Sequence, residues 1–264
     1  MSQTLPPLDL VIVTGAGRGI GRAVACQAAR QAGRVLCISR TASCLDTVAA
    51  IRRAGGTADA LQTDLADYSD SGRAISGWLE TRDYRRIGLV LAAGALGPSG
   101  PLWETPLDQW DLAWRTNVLG NLAVVKASLP GMRANRFGRL LFFAGGGAAY
   151  AYPLFPAYAI AKTALVRAVE NLHEDLHGSG DFAVTILAPG AVDTEILATV
   201  RAKGAEVRTT VAMEEPVNFV CSFLAASGRG LSGCFVHVRD NSRPFLENGE
   251  SLPRRDLWKL RRVE

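Results

Sequence analysis

Near the start of the chain, a glycine-rich loop separates an apolar run from a helical pattern. The loop reads Thr14-Gly15-Ala16-Gly17-Arg18-Gly19-Ile20-Gly21. Leu10-Val11-Ile12-Val13 leads into it, and Ala23-Val24-Ala25 through Ala29 leads out. Strand, glycine turn, helix is the context in which such a loop holds phosphate. The glycines allow a tight turn and close approach of a pyrophosphate. The new helix points its free N–H groups and positive dipole end at that anion. The spacing here is G-x-G-x-G-x-G after a threonine, not the more familiar G-x-G-x-x-G.

The rest of the chain follows the same rhythm. Apolar, β-rich runs occur at 9–14, 34–39, 57–62, 87–93, 138–144, 182–188 and 233–238. Helical patterns occupy 20–32, 43–54, 69–83, 107–134, 156–178 and 213–227. Several strands are apolar on both faces, as buried parallel strands are. The alternation predicts an α/β fold: one doubly wound, Rossmann-like parallel sheet with helices on both faces. No linker or repeat divides it, so 1–264 reads as a single domain with its core at about 9–238. Two parts break the rhythm. Residues 192–212 are more polar and make a candidate lid, and 239–264 form a tail.

Composition narrows the function classes. With 264 residues and 48% hydrophobic content, the chain can build a large core. A net charge of +4 is too mild to argue for nucleic acid. No apolar run reaches the ~18 residues of a membrane span, and Met1 to Leu8 carry no secretory pattern. Cys26, Cys37, Cys44, Cys221 and Cys234 are scattered and odd in number, which favours reduced thiols over disulfides. His173 and His177 stand four apart on a helix and could share a metal, but the pattern fits a solvated helix face better, so no metal is expected. A cytoplasmic setting is the expectation.

Strand ends carry the binding residues in such a sheet. The second ends Ser39-Arg40, with no acid for a ribose hydroxyl. Arg40, with Arg18 inside the glycine loop, suits the 2′-phosphate of NADP(H) rather than NAD(H). Asp64-Leu65 ends the third strand; Asp64 can bond an adenine or cap the following turn. Ala93-Gly94 ends the fourth, where small residues let a flat cofactor pass. Asn117 lies mid-helix, where asparagine is unfavourable unless it bends the helix or bonds inside a site.

Tyr158 and Lys162 are four apart and share a helix face. A lysine beside a phenol favours the phenolate and brings its pKa toward a general acid's working range. Carbonyl reduction needs such a proton donor.

Taken in order, Thr14-Gly15-x-x-x-Gly19-Ile20-Gly21, Asp64, Ala93-Gly94, Asn117, Tyr158-x-x-x-Lys162 and Pro189-Gly190 resemble the short-chain dehydrogenase/reductase family. The resemblance runs from about Leu10 to Val238. It implies a seven-stranded sheet with Tyr158 as general acid/base. Lys162 would bind the nicotinamide ribose and depress the tyrosine pKa, and Asn117 would hold a relay water. Pro189-Gly190, Val192 and Thr194 would border the nicotinamide, the Thr194 hydroxyl serving its carboxamide. Arg18 and Arg40 fall on the family's NADP-selecting positions. The resemblance also implies a homodimer or homotetramer, for which Ala161, Ala164, Leu165, Ala168 and Leu172 offer an apolar stripe.

Two departures stand out. The family's substrate-binding serine lies thirteen residues before the tyrosine; here that position is Gly145. No Ser or Thr lies between Arg139 and Lys162. Losing an oxyanion donor costs ~10²–10³ in rate. Tyr150, Tyr152 or a backbone N–H of Gly145, Gly146 or Gly147 could replace it; alternatively both tyrosines merely line the pocket. Second, Leu91-Ala92-Ala93-Gly94 replaces Asn-Asn-Ala-Gly, removing asparagines that brace the central sheet. Leu96, Pro98, Tyr152, Pro153, Leu154 and Phe155 are expected to wall the reacting carbon. Arg201, Lys203 and Arg208 can meet an anionic substrate or simply be solvated. The tail is basic around Leu257, Trp258 and Leu260, with Arg254, Arg255, Lys259, Arg261 and Arg262; it would cover a neighbouring subunit or the substrate pocket. The function expected is hydride transfer between NADP(H) and a carbonyl or secondary alcohol of a small molecule. The alternative, prompted by Gly145, is a cofactor-binding but catalytically silent subunit.

Overall fold

The computed structural model describes residues 6–207, 209–226, 229–247, 250, 252–254 and 256–260. Its sheet has seven parallel strands: β1 (Leu10–Thr14), β2 (Val35–Ser39), β3 (Ala58–Gln62), β4 (Ile87–Leu91), β5 (Phe137–Phe143), β6 (Asp181–Ala188) and, last in the sheet, a strand at Cys234–His237. The spatial order is β3-β2-β1-β4-β5-β6 and then Cys234–His237. The order reverses between β1 and β4, which opens a crevice at the carboxyl ends of the strands.

The period of two divides the apolar residues between two cores. Val11 and Val13 of β1 join Val35, Cys37 and Val90 on one face, under α1 (Gly19–Ala28) and α2 (Ser43–Arg53). Leu10 and Ile12 join Leu36, Leu89 and Phe142 on the other. That second face lies under α3 (Tyr68–Glu80), α5 (Gly120–Ala134) and α6 (Pro156–Leu176). β1 and β5 are buried along their whole length, which explains their unbroken apolar sequences. The exception is Arg139 in β5, fully buried. It reaches the Asp181 carboxylate at 3.0 Å and donates to the backbone oxygens of Asp181 and Ala226. Burial lowers its pKa, while the Asp181 pair opposes that shift. Among the described residues, no helix is long and apolar enough to cross a membrane.

Three expectations need correction. The pattern at 107–134 is not one regular helix. It comprises α4 (Leu107–Trp114), a π-helical turn at Arg115–Leu119, and α5. Single π turns of this kind recur at functional sites, and this one contains Asn117. The candidate lid at 192–212 has structure of its own: β7 (Ala191–Val192) pairs in parallel with β8 (Thr210–Val211), and α7 (Glu195–Ala202) lies between them. Thr194 caps α7, accepting from the Leu197 N–H at 3.4 Å, and Leu197 and Val200 supply its buried face. Finally, the stripe expected for self-association is not one free face. Ala161 and Leu165 are buried in the core, leaving only Ala164, Ala168 and Leu172 half-buried.

After β8 come α8 (Glu214–Ala225) and the last sheet strand, hereafter β9 (Cys234–His237). The tail then contributes α9 (Arg243–Glu247) and returns along β9. The Phe235 N–H donates to Trp258 O at 2.8 Å, Lys259 Nζ donates to Gly233 O at 2.5 Å, and the Leu260 N–H donates to Glu170 Oε1 at 2.7 Å. The Trp258 ring meets Phe245 edge-on at 5.7 Å. The described part of the tail therefore covers the free edge of its own sheet, a liability when left open. Arg208, Arg255, Arg261 and Arg262 lie outside the described residues.

Candidate active site

The glycine loop turns at the carboxyl end of β1. Gly15 and Gly19 have φ of +65° and +53°, a region that side chains disfavour. A Cβ on Gly15 would press on the Ala93 backbone at 3.0 Å, so the loop can lie directly on the end of β4. Gly17 packs on Ser43 and Gly21 on the Gly15 backbone. Helix α1 then starts at Gly19 with no side-chain cap and no acid in its first turn. Among the described residues, nothing accepts from the N–H groups of Gly19, Ile20 and Gly21. Three free donors at the positive end of a helix dipole fit a pyrophosphate.

Arg18 reaches across the loop to pair with Glu195 of α7, both side chains about two-thirds exposed. Arg40 is exposed and has no ion partner among the described residues. Ser39 is occupied locally, donating to Thr41 O at 2.6 Å and accepting from the Cys44 N–H at 3.2 Å. Asp64 caps its turn, accepting from the Ala66 N–H at 3.0 Å. Leu65 is buried, and Gly120 fits beneath it because a Cβ there would come within 2.6 Å of the Leu65 Cβ. Pro189 is half-buried and Val192 buried; Gly190, at φ +73°, lies against Val211 and His237. Thr194 is spent on its helix cap and on Val192 O at 3.2 Å, rather than left free as expected.

Asn117 is fully buried in the π turn. Its Nδ2 donates to Ala95 O at 2.7 Å and Ala113 O at 2.8 Å, and its Oδ1 accepts from the Ala95 N–H at 3.2 Å. The side chain thus clamps the segment leaving β4. Gly94 lies beneath: a Cβ there would stand 2.9 Å from Asn117 Oδ1 and 3.5 Å from Lys162 Nζ.

Asn121, one turn on, is a further bracing residue that the motif spacing does not single out. It accepts from Thr14 Oγ1 at 3.2 Å and donates to Ala93 O at 3.2 Å and Asn117 O at 2.9 Å. Thr14 Oγ1 also accepts from the Ala93 N–H at 3.0 Å. Asn121 therefore ties β1, the end of β4 and the π turn together, the bracing that Leu91 and Ala92 cannot supply. The available clue was a second mid-helix asparagine four residues after Asn117. Asn121→Ala leaves buried polar groups unpaired and should cost about 1–3 kcal/mol in urea unfolding.

Tyr158 and Lys162 lie on consecutive turns of α6, which begins with Pro156 at its favoured first position. Both are buried. Lys162 Nζ donates to Phe143 O at the end of β5 at 2.8 Å and lies 5.5 Å from the Tyr158 ring centroid. Burial lowers Lys162 to about 8. Burial pushes the Tyr158 phenol up, with Tyr152 adding to the rise. The expected depression by lysine is not seen, because the ammonium faces the ring and a carbonyl oxygen and its own charge is disfavoured by burial.

Gly145 lies directly beneath Tyr158. A Cβ there would overlap Tyr158 Oη and stand 2.8 and 2.9 Å from Cε1 and Cζ. Tyr158 packs in an apolar cluster with Phe155, Val200, Leu96, Tyr152, Leu154, Ala205 and Val207. Four of these were expected as pocket wall; Val200, Ala205 and Val207 come from the lid region and were not. Tyr150 is 66% exposed and lines an outer groove, which Tyr152, half-buried, also borders. Arg201 lies 3.7 Å from Asp193, with both exposed, and Lys203 is exposed.

Comparisons with known proteins agree with this arrangement. A profile of the short chain dehydrogenase family matches residues 9–205. A short chain dehydrogenase of Pseudocercospora fijiensis is 32% identical over 189 residues, covering 70% of this chain and 60% of that protein. The 1-deoxy-11-beta-hydroxypentalenate dehydrogenase of Streptomyces exfoliatus is 30% identical over 223 residues, covering 81% and 79%. A Beutenbergia cavernae structure, assigned as an NAD(P)-dependent gluconate 5-dehydrogenase and holding NADP at low occupancy, superposes with a TM-score of 0.80 at 30% identity, covering 87% of this chain and 94% of that one. With its glycine cradle, parallel sheet and buried tyrosine–lysine pair, this chain belongs to the short-chain dehydrogenase/reductase family.

Proposed function

We propose that the protein is an NADP(H)-dependent oxidoreductase that interconverts a ketone and a secondary alcohol on an apolar small molecule. One observation carries the reading: a buried phenol and a buried ammonium lie side by side, Lys162 Nζ 5.5 Å from the Tyr158 ring centroid, with the phenol in an apolar cluster. Bound nicotinamide would supply or accept the hydride. Gly19, Ile20 and Gly21 would hold the pyrophosphate, and Arg40 with Arg18 the 2′-phosphate.

The remaining work falls to side chains of this chain. Burial keeps the Tyr158 hydroxyl protonated through the neutral range, the form that can give a proton to a carbonyl oxygen. Lys162 faces that ring with its charge largely intact at pH 7. Asn117 fixes Gly94 and Ala95, so that the floor beside Lys162 does not move. Phe155, Val200 and Leu154 exclude water and favour an apolar substrate over a charged one. The outward position of Arg201 and Lys203 points the same way. The name of the Streptomyces exfoliatus relative, which denotes dehydrogenation of a hydroxylated compound, supports the alcohol–ketone chemistry.

Fluorescence titration should give tighter binding of NADPH than of NADH. Arg40→Ala should weaken NADPH by ~10–100-fold, the value of a charge-assisted hydrogen bond, and leave NADH nearly unchanged. Equal loss for both nucleotides would remove Arg40 from the phosphate site. Turnover of an apolar ketone with the preferred nucleotide tests the reaction itself.

A further inference from the structure

We propose that the Tyr152 hydroxyl is the second hydrogen-bond donor to the substrate oxygen, and that Gly145-Gly146 is the platform bringing two phenols to that oxygen. The inference rests on the oxidoreductase reading and identifies what does the work of the absent serine.

The geometry comes from what each glycine would meet if it had a side chain. A Cβ on Gly145 would run into the hydroxyl end of Tyr158. A Cβ on Gly146 would stand 3.3 Å from Tyr152 Cζ and 3.4 and 3.6 Å from its two Cε atoms. The hydroxyl-bearing end of each ring therefore lies over one of two successive residues, whose Cα atoms are ~3.8 Å apart. A Cβ on Gly147 would press on the Tyr152 Cβ at 2.8 Å, so the glycine run continues beneath the second ring. The Tyr152 ring is held by Phe155, 5.6 Å away between centroids, in the same apolar cluster as Tyr158.

The inventory of donors leads to the same residue. No Ser or Thr lies between Arg139 and Lys162. Tyr150 is turned outward. Tyr152 is thus the hydroxyl in this stretch that packs on the same cluster as Tyr158. Burial and the neighbouring Tyr150 raise its pKa, so at neutral pH it is a phenol and a donor, not a phenolate.

In the reducing direction, a C–H bond forms at the carbonyl carbon as the C=O π bond breaks and its electron pair moves to oxygen. The proton that completes the alcohol comes from Tyr158 Oη, and NADPH, the two-electron reductant, becomes NADP⁺. Tyr152 keeps its proton throughout. Its hydrogen bond strengthens as negative charge grows on the oxygen, which is when a donor accelerates the step.

The test uses the full-length protein with NADPH, a panel of cyclic ketones and an aliphatic 1,2-diketone as a reactive probe. Tyr152→Phe should lower kcat by ~10²-fold. It should leave the Kd for NADPH, read by fluorescence, and the urea midpoint near wild type, and raise the isotope effect with 4-deuterated NADPH as hydride transfer becomes more limiting. Gly145→Ser on the Tyr152→Phe background should not restore activity, because the new Cβ collides with Tyr158. Wild-type kcat in Tyr152→Phe would overturn the proposal and pass the role to the N–H groups of the glycine run. Rescue by Gly145→Ser would overturn the two-phenol geometry. A wild-type protein that binds NADPH but reduces neither ketones nor diketone would overturn the oxidoreductase reading, and this inference with it.

Discussion

Tyr158→Phe is expected to reduce turnover by about 10³-fold or more while leaving NADPH affinity within a few-fold of wild type. The substitution removes one oxygen and keeps the ring, so packing against Phe155 and Val200 survives. In the proposed reaction the lost oxygen is the proton source, and general acid catalysis alone contributes ~10²–10⁴. The phenol of Tyr152 lies over the next glycine but, on the proposed reading, has a separate hydrogen-bonding task, and among the described residues no lysine stands against its ring. Tyr152→Phe should therefore cost less than Tyr158→Phe, and the double variant little more than the worse single one, since groups acting on one oxygen are not additive. Steady-state kinetics with a reactive diketone, paired with fluorescence titration of NADPH, separates loss of chemistry from loss of binding. Retained turnover in Tyr158→Phe would remove this residue from the reaction.

How legible the site was depends on the range of the interaction involved. The seven sheet strands could be read to within two residues; for β1, β4 and β5 this is because burial on both faces writes an unbroken apolar run into the sequence. The glycine loop could be read because its task is local: turn, then present helix N–H groups. Asn117 was noticed as an oddity, but the π turn around it depends on bonds to Ala95, twenty-two residues away, which no helical periodicity contains. Asn121 was overlooked for a related reason. Comparison at Leu91-Ala92 showed what was missing there, while the replacement came from a helix packed across the sheet. Gly145 is the most instructive case. In sequence it is the absence of a hydroxyl; in the structure its missing Cβ is space occupied by the Tyr158 hydroxyl. The spacing of Tyr158 and Lys162 correctly placed both on one face of α6. It could not say that the lysine would donate to Phe143 O.

Lys162→Met should make the protein more stable at pH 7 while lowering turnover by at least ~10²-fold. In the unfolded chain this lysine keeps its proton up to its ordinary value of 10.5; in the folded protein it does so only up to about 8, because burial penalises the ammonium. Below pH 8 both states carry the proton, and the folded state bears the full cost of burying the charge. Between pH 8 and 10.5 the unfolded state binds more protons, so this group's contribution makes stability rise with pH. Methionine removes the cost and flattens that slope. The gain at pH 7 should be ~1–3 kcal/mol, reduced somewhat because Phe143 O loses its donor. Urea midpoints at pH 7 and pH 9.5, taken as variant minus wild type, read the difference, because the raised pKa values of Tyr158, Cys37, Cys221 and Cys234 are common to both proteins. Wild-type turnover should fall as pH rises through 8, in step with loss of the Lys162 charge. A methionine variant that is less stable than wild type at pH 7 would mean that the ammonium is well solvated by its surroundings and that burial does not govern it. The expected outcome is the reverse: a position at which the fold gives up stability to keep a cation against the phenol proposed to move the proton.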